Sequence, residues 1–261
     1  MCWSGEASFV LSAAGLGSTA YLIKNKEEKV LWIPLLYFTA MELLQGFNYM
    51  WIGECGVPQN QLFAMLGYIH IMFQPFFCNA VAMYFIPKEV KEKISVYVYA
   101  VCFLVPFVWI YKLYPFDWAG ACPIGKEPLC GPSLCALRGQ WHIAWEFPLN
   151  GIFSDRFPDM TGSVATRLGF PIIFGGIHSL TYSLAVFFMP ILYGSWRASV
   201  MAYLSGPVFA SLLTSNINEI PAVWCLFSIA ICLSAIKSPL RKHLYVNTWF
   251  FYPKTRNFRV S

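Results

Sequence analysis

The stretch GQWHIAWEFPLNGIF, residues 139–153, decides how the chain is interpreted, because it is apolar enough to enter a bilayer yet carries His142 and Glu146. On a helix, side chains four residues apart lie on one face. The stretch is shorter than the ~20 residues that a spanning helix needs, and Pro148 and Gly151 interrupt it. The sequence therefore predicts a short re-entrant or interfacial helix that carries both side chains toward a buried site.

The composition of the whole chain predicts a membrane protein. The 261 residues are 57% hydrophobic and only 12% charged, with a mean hydropathy of +0.54. Soluble domains contain about twice that share of charged residues. The net charge of +5 comes from basic residues spread over short loops and a tail rather than from one basic patch, so no nucleic acid partner is predicted. The expected fold class is all-α, an integral membrane helix bundle whose first partner is the lipid bilayer.

Seven apolar segments bounded by charged or turn residues are predicted to span the membrane. They cover about residues 7–23, 30–52, 61–86, 94–113, 168–193, 198–214 and 222–236. Residues 1–236 thus form a seven-helix transmembrane domain, in which the long loop 114–167 carries the short helix. Residues 237–261 mix basic and aromatic side chains, a composition typical of a segment lying on a membrane surface.

The positions of the basic residues predict the orientation. With the N-terminus outside and seven spans, the basic residues of the short loops and of the tail all lie on the cytoplasmic side, as the positive-inside rule requires. The cytoplasmic set outside the tail is Lys24, Lys26, Lys29, Lys88, Lys91, Lys93 and Arg197. We therefore expect a cytoplasmic C-terminus, in a plasma or inner membrane.

Nine cysteines divide by position. Cys55, Cys122, Cys130 and Cys135 lie in the predicted outer loops, where an oxidising exterior permits one or two disulfides. Cys55 is expected to pair with one of the other three, but spacing alone leaves the pairing open.

Three ionisable residues of the predicted spans lie at one depth. Glu42 lies ten residues before the outer end of its span, while His70 and His178 lie nine and ten residues after the outer ends of theirs. Each is therefore about 14–15 Å below the outer surface, near the midplane of a ~30 Å hydrocarbon core. The short helix enters from the same side, so His142 and Glu146 are expected to join them.

A metal centre is the leading interpretation of this convergence. His70, His142 and His178 are predicted to hold a divalent ion, zinc or iron, because three imidazoles with one open position are typical of catalytic zinc. Glu42 or Glu146 would bind the ion or act as the catalytic base. Gln45 and Gln74 are expected to orient the metal ligands through hydrogen bonds. The predicted function is a metal-dependent hydrolase acting on a lipid or small apolar substrate.

Two other functions remain open at this stage. His70 and His178, two level histidines on different spans, would suit haem, and two carboxylates with histidine would suit a di-iron centre, either of which predicts an oxidoreductase. Buried Glu and His also relay protons, which predicts a proton-coupled transporter or receptor.

Three motifs carry a resemblance to known families. Residues 1–8 read MCWSGEAS, residues 41–45 read MELLQ, and residues 67–75 read GYIHIMFQP. Together they resemble an uncharacterised family of small polytopic membrane proteins found in microbes. More distantly, seven spans with buried histidines and acids are similar to the membrane zinc hydrolases typified by alkaline ceramidases and adiponectin receptors. That resemblance implies a seven-helix fold with a zinc-dependent activity. These hydrolases carry a His-x-x-x-His pair late in the chain, where this sequence has His178 alone.

Overall fold

The computed structural model of the protein describes residues 3–157, 163–250 and 252. The described part is mostly helical, as the composition predicts. Five long helices are α1 (Gly5–Lys24), α2 (Lys29–Asn48), α3 (Pro58–Ala82), α4 (Lys88–Leu113) and α11 (Ile220–Lys237). The shorter helices are α5 (Ser163–Arg167), α6 (Phe170–Phe174), α7 (Ile177–Ser183), α8 (Met189–Leu192), α9 (Trp196–Tyr203), α10 (Phe209–Leu213) and α12 (Arg241–Leu244).

Four of the described helical segments are long and apolar enough to cross a membrane. They are Lys29–Trp51, Pro58–Phe85, Lys88–Leu113 and Ile220–Lys237, and they match the second, third, fourth and seventh predicted spans. The first predicted span coincides with α1, which is not among the four. The expected count of seven spans therefore stays a prediction.

The fifth and sixth predicted spans are not continuous α-helices. A break at Gly175 and Gly176 separates α6 from α7, and π turns at Leu184–Phe188 and Leu204–Val208 interrupt the helices that follow. Pro190 lies just after the first π turn and Pro207 lies inside the second. Proline has no N–H to donate and its ring clashes with the preceding turn, which accounts for a locally widened helix at these places.

The prediction of a re-entrant helix at residues 139–153 is wrong, because these residues form part of a β-hairpin. Strand β1 (Cys135–Arg138) pairs antiparallel with β2 (Ile143–Glu146), and Arg138 lies opposite Ile143. Isoleucine and tryptophan favour strands, and Pro148 prevents a helix from continuing. His142 precedes the strand and Glu146 ends it, so about 13 Å of extended chain separates two residues that a helix would have stacked.

Residues 114–157, which include the hairpin, form a cap over one end of the helices. Disulfides Cys55–Cys135 and Cys122–Cys130 hold it, so the expected pairing of Cys55 is with Cys135. Asn60, in the first turns of α3, exchanges two hydrogen bonds of 2.9 Å with the backbone of Ala136. The cap is thus fixed to the start of α3 in two ways. The disulfide joins it to the loop before the helix, and the Asn60 amide forms the pair of hydrogen bonds that the backbone of a neighbouring strand would form.

Acidic and basic side chains join the opposite end of the bundle. Glu27, which follows α1, lies 2.6 Å from Lys237 and 3.3 Å from Arg241. These ion pairs connect the turn between α1 and α2 to the end of α11 and to α12. Lys254, Arg256 and Arg259, which complete the predicted membrane-surface tail, lie outside the described residues.

Replacing Cys135 with serine is expected to lower the stability of the protein by about 2–4 kcal/mol, because the Cys55–Cys135 bond closes a long loop. Thermal unfolding in detergent, followed by tryptophan fluorescence, measures the loss. The control is Cys78→Ser, since Cys78 is a free cysteine. Non-reduced peptide mapping that finds Cys55 joined to Cys122 or Cys130 would contradict the pairing.

Candidate ion cluster beneath the cap

The structure gives each predicted metal ligand its own surroundings, beginning with His70. Its Nε2 lies 2.9 Å from the carbonyl oxygen of Tyr37, and the Tyr37 hydroxyl donates to the His70 carbonyl at 2.6 Å. The two rings stack at 3.9 Å. His70 therefore fastens α3 to α2.

His142 lies just before strand β2 and Glu146 lies at its end. The Nδ1 of His142 lies 2.7 Å from the Tyr49 hydroxyl, and the two rings are stacked. Burial lowers the pKa of His142 to about 3, so the ring is neutral at neutral pH. Glu146 is partly buried against Gly131, and burial raises the pKa of its carboxyl.

The five predicted ligands are not brought together. In residues 3–157, 163–250 and 252, no three His, Cys, Asp or Glu side chains form a group able to hold a metal ion. Gln74, expected to orient a ligand, instead accepts a hydrogen bond from the Tyr182 hydroxyl at 2.6 Å and donates to Cys225 Sγ at 3.2 Å. The metal centre, its bases Glu42 and Glu146, and the haem or di-iron alternatives stay predictions that the side-chain arrangement does not support.

His178 lies instead in a buried group of charges that we call the ion cluster, made of Lys112, Glu127, Ser154 and His178. Glu127 Oε1 lies 2.8 Å from Lys112 Nζ and 3.1 Å from His178 Nδ1. The contact with Lys112 is an ion pair, and the contact with His178 becomes one when the ring carries a second proton. The three ionisable side chains are at most 1% exposed, so the low dielectric strengthens their attraction.

The remaining polar atoms of the ion cluster have partners. Lys112 donates to the carbonyl oxygen of Asn150 at 2.5 Å and approaches that of Ile152 at 3.4 Å. Ser154 donates to Glu127 Oε2 at 2.6 Å. Burial alone would raise the pKa of the Glu127 carboxyl, but His178 and Lys112 outweigh burial and hold that pKa below its ordinary value. Glu127 is therefore a carboxylate at neutral pH.

His178 faces acceptors on both sides of its ring. Nδ1 lies beside Glu127, and Nε2 lies 3.0 Å from the carbonyl oxygen of Pro128. A neutral imidazole can donate from only one nitrogen, whereas the imidazolium donates from both. The surroundings of His178 thus offer a hydrogen-bond acceptor to a proton on either ring nitrogen.

The glycine pair that breaks the fifth predicted span makes room for Glu127. A Cβ at Gly176 would lie 2.6 Å from Glu127 Oε1, and the Gly176 φ of 154° favours glycine. Gly175 approaches Pro128 equally closely. The missing side chains let the backbone before α7 pack against the carboxylate, which brings His178 into contact with it.

Two open spaces flank the ion cluster. On the cap side, Glu127 and Ser154 line a cleft of about 470 Å³. On the bundle side, His178, Tyr182 and Gln74 line a small cavity of about 20 Å³. Gln74 also lines a second cavity, of about 80 Å³ and almost wholly apolar, that extends toward Cys225 and Ser228. At least one polar side chain therefore lines each of the three spaces.

Glu219, at the start of α11, is a structural residue whose role the sequence interpretation did not identify. Its carboxylate accepts from the backbone N–H groups of Gln140, Trp141 and His142, and from the Thr214 hydroxyl at 2.6 Å. A Cβ at Gly139 would lie 2.5 Å from the Glu219 carboxyl carbon. One buried carboxylate thus fixes the turn of the hairpin to α11.

The fold and the ion cluster define a predominantly helical protein with four described helical segments able to cross a membrane by length and composition. The chain belongs to the family described as "Family of unknown function (DUF5765)", whose model matches residues 6–245. Comparison with curated proteins and with solved structures gives no significant match. The family agrees with the expectation of an uncharacterised family, whereas the similarity to alkaline ceramidases and adiponectin receptors stays a prediction.

Replacing Glu219 with alanine is expected to destabilise the protein by about 3–5 kcal/mol, because three backbone N–H groups lose a charged acceptor. Glu219→Gln keeps one acceptor oxygen and should lose about half as much. Unfolding followed by tryptophan fluorescence measures both, and Glu54→Ala is the matched control because Glu54 is exposed on the same side. A Glu219→Ala protein as stable as the control would contradict the anchoring role.

Replacing Lys112 with methionine is expected to cost about 3–5 kcal/mol at pH 7, because it leaves Glu127 buried without its lysine. The double variant Lys112→Met, Glu127→Gln should recover more than half of that loss. Because the Glu127 pKa is lowered in the folded protein, its stabilising contribution is present above the ordinary value of 4.5 and is lost as the pH falls through the folded-state pKa.

The same unfolding measurement made between pH 7 and pH 3.5 tests the sign of this effect. The stability difference between the wild type and Lys112→Met should shrink as the pH falls below about 4.5. A difference that does not depend on pH would mean that packing of the lysine stem, and not its charge, is what the substitution removes.

Proposed function

We propose that the protein is a proton-coupled membrane transporter in which the ion cluster takes up and releases the transported proton. The observation that carries this proposal is the position of His178, which contacts Glu127 at the wall of the cleft and also lines the cavity inside the bundle. A titratable ring between two spaces is the element that a proton relay requires.

The proposed route begins in the cleft that Ser154 and Glu127 line. In this route a proton from the cleft reaches Nδ1 of His178 beside Glu127, and the proton on Nε2, which faces the Pro128 carbonyl, passes to a water molecule in the cavity that His178 shares with Tyr182. Tyr182 and Gln74, which are hydrogen-bonded to each other, continue the route into the apolar cavity. Lys112 keeps Glu127 charged during the cycle, so the histidine and not the carboxylate changes its protonation state.

The arrangement of the ion cluster supports transport over hydrolysis by a serine nucleophile. Lys112 Nζ lies 3.3 Å from Ser154 Oγ, a distance that suits a Ser–Lys pair. However, the ammonium protons face Glu127 and backbone carbonyl oxygens, so the lysine has no lone pair with which to accept the serine proton. The lipid or small apolar molecule expected from the sequence becomes, in this proposal, the occupant of the apolar cavity.

The proposed orientation keeps the N-terminus outside, the C-terminus in the cytoplasm and seven spans in a plasma or inner membrane. Two disulfides in and beside the cap support it, because disulfides persist on the oxidising side of a membrane. The basic residues around Glu27, at the opposite end, support a cytoplasmic location for that end.

Proton uptake by liposomes that contain the purified protein tests the proposal. A potassium gradient with valinomycin supplies the driving potential, and a trapped pH-sensitive dye reports the internal pH. We expect the wild type to acidify the liposomes at least about tenfold faster than Glu127→Gln or His178→Gln, a factor equivalent to about 1.4 kcal/mol in the barrier.

Glu54→Gln is the control, since it removes an exposed carboxylate on the cap side without touching the ion cluster. Size-exclusion profiles and unfolding temperatures establish that each variant is folded before reconstitution. If the wild type does not exceed protein-free liposomes, or if Glu127→Gln and His178→Gln match the control, the proposal is rejected.

A further inference from the structure

A second polar group lies inside the bundle, apart from the ion cluster. Glu42, Gln45 and Asn48 follow one another on α2 at intervals of three residues, so each neighbours the next on the helix surface. All three are 0% exposed. Among the described residues, both terminal atoms of each side chain are buried without a hydrogen-bond partner.

This concentration of unpaired groups needs a physical explanation. Of the thirteen buried side-chain nitrogen and oxygen atoms without a partner in the described residues, six belong to these three side chains. Buried polar groups in folded proteins are paired in the great majority of cases, and an unpaired one costs about 1–3 kcal/mol in a soluble protein. A row of six is more readily explained as the lining of a binding site.

The surroundings of the row supply no positive charge. The Ser8 hydroxyl of α1 lies beside Glu42, where it accepts a hydrogen bond from Trp3 Nε1 at 2.8 Å and keeps its own proton to donate to the carboxyl group. One turn beyond Gln45, the Tyr49 hydroxyl is engaged by His142. No ion pair of the described residues involves Glu42, in contrast to Glu127. The Glu42 carboxyl therefore lies among neutral polar groups.

We infer that Glu42, Gln45 and Asn48 bind a small monovalent cation, for which sodium is the test ion. The carboxylate and the two amide carbonyls offer oxygen atoms, which are the ligands that hard cations prefer. The single carboxylate balances the charge of a monovalent cation. A divalent ion would leave a net positive charge buried in a medium of low dielectric. Soft metals are disfavoured because the row contains neither thiolate nor imidazole.

The site shares no residue with the ion cluster, so it does not depend on the proposed proton route. A protein that fails the proton-uptake test can still bind the cation, and a protein without the cation site can still move protons.

Thermal unfolding of the full chain in detergent, at constant ionic strength with choline replaced by sodium, lithium or potassium, tests the inference. We expect at least one of the three ions to raise the unfolding temperature by about 5 °C between 1 and 200 mM. Glu42→Gln and Gln45→Leu should each abolish the ion-dependent shift, whereas Glu54→Gln should keep it. The two substitutions act on different ligands, so a folding defect in one leaves the other informative.

Binding of radioactive sodium to the purified protein provides the second measurement, with one ion per chain expected for the wild type and none for Glu42→Gln. Equal unfolding temperatures in all four salts, together with no bound sodium, would overturn the inference. That result would mean that a protonated Glu42 and the two amides satisfy one another or bind only water.

Discussion

The pairing of Glu127 with Lys112 and His178 is the constraint on which the arrangement of the cap depends. A carboxylate can stay buried in an apolar bundle only if positive charge and hydrogen bonds compensate it. The lysine comes from the end of α4, the histidine from α7 and the carboxylate from the cap between them. The cap therefore cannot move away from either helix without exposing or separating charges.

Two further attachments restrict the cap in the same way. Glu219 holds the turn of the hairpin to α11, and Asn218 beside it accepts from the Leu129 N–H and donates to the Cys130 carbonyl. The Cys55–Cys135 disulfide joins β1 to the loop before α3. Since the three attachments lead to different helices, the position of the cap, and with it the wall of the cleft, is determined by the whole bundle. This explains how a segment with little regular structure can hold a buried polar site in a fixed arrangement.

The sequence predicts most of the helices and little of the site, for physical reasons. Apolar stretches that end at charges or prolines identify α2, α3 and α11 to within a few residues, because both features act locally, whereas α4 begins at Lys88 and not at about residue 94. The hairpin was missed because its strands are short and the spacing of His142 and Glu146 also fits a helix. Glu42 and His178 are buried and His70 is partly exposed, but position along a span leaves the direction around each helix undetermined, and the side chains face different partners. The common depth of the three residues in a membrane stays a prediction. Lys112 and Glu127 were harder to find from the sequence. Lys112 is a single lysine in the last turn of an apolar helix, and Glu127 is an acid in a loop that shows no periodic pattern.

The two buried carboxylates differ in how their charge is compensated, and that difference separates their chemistry. Glu127 has its positive partners within the chain, so it remains ionised and can direct the protonation of a neighbouring histidine without any ligand. Glu42 has amides and a hydroxyl around it, which can solvate an ion but cannot neutralise the carboxylate. A charge there has to be balanced by something that enters from solution, a proton or a cation. A bundle that contains both arrangements therefore has one carboxylate whose charge is fixed by its partners in the fold and another whose charge, under the inference above, follows the medium.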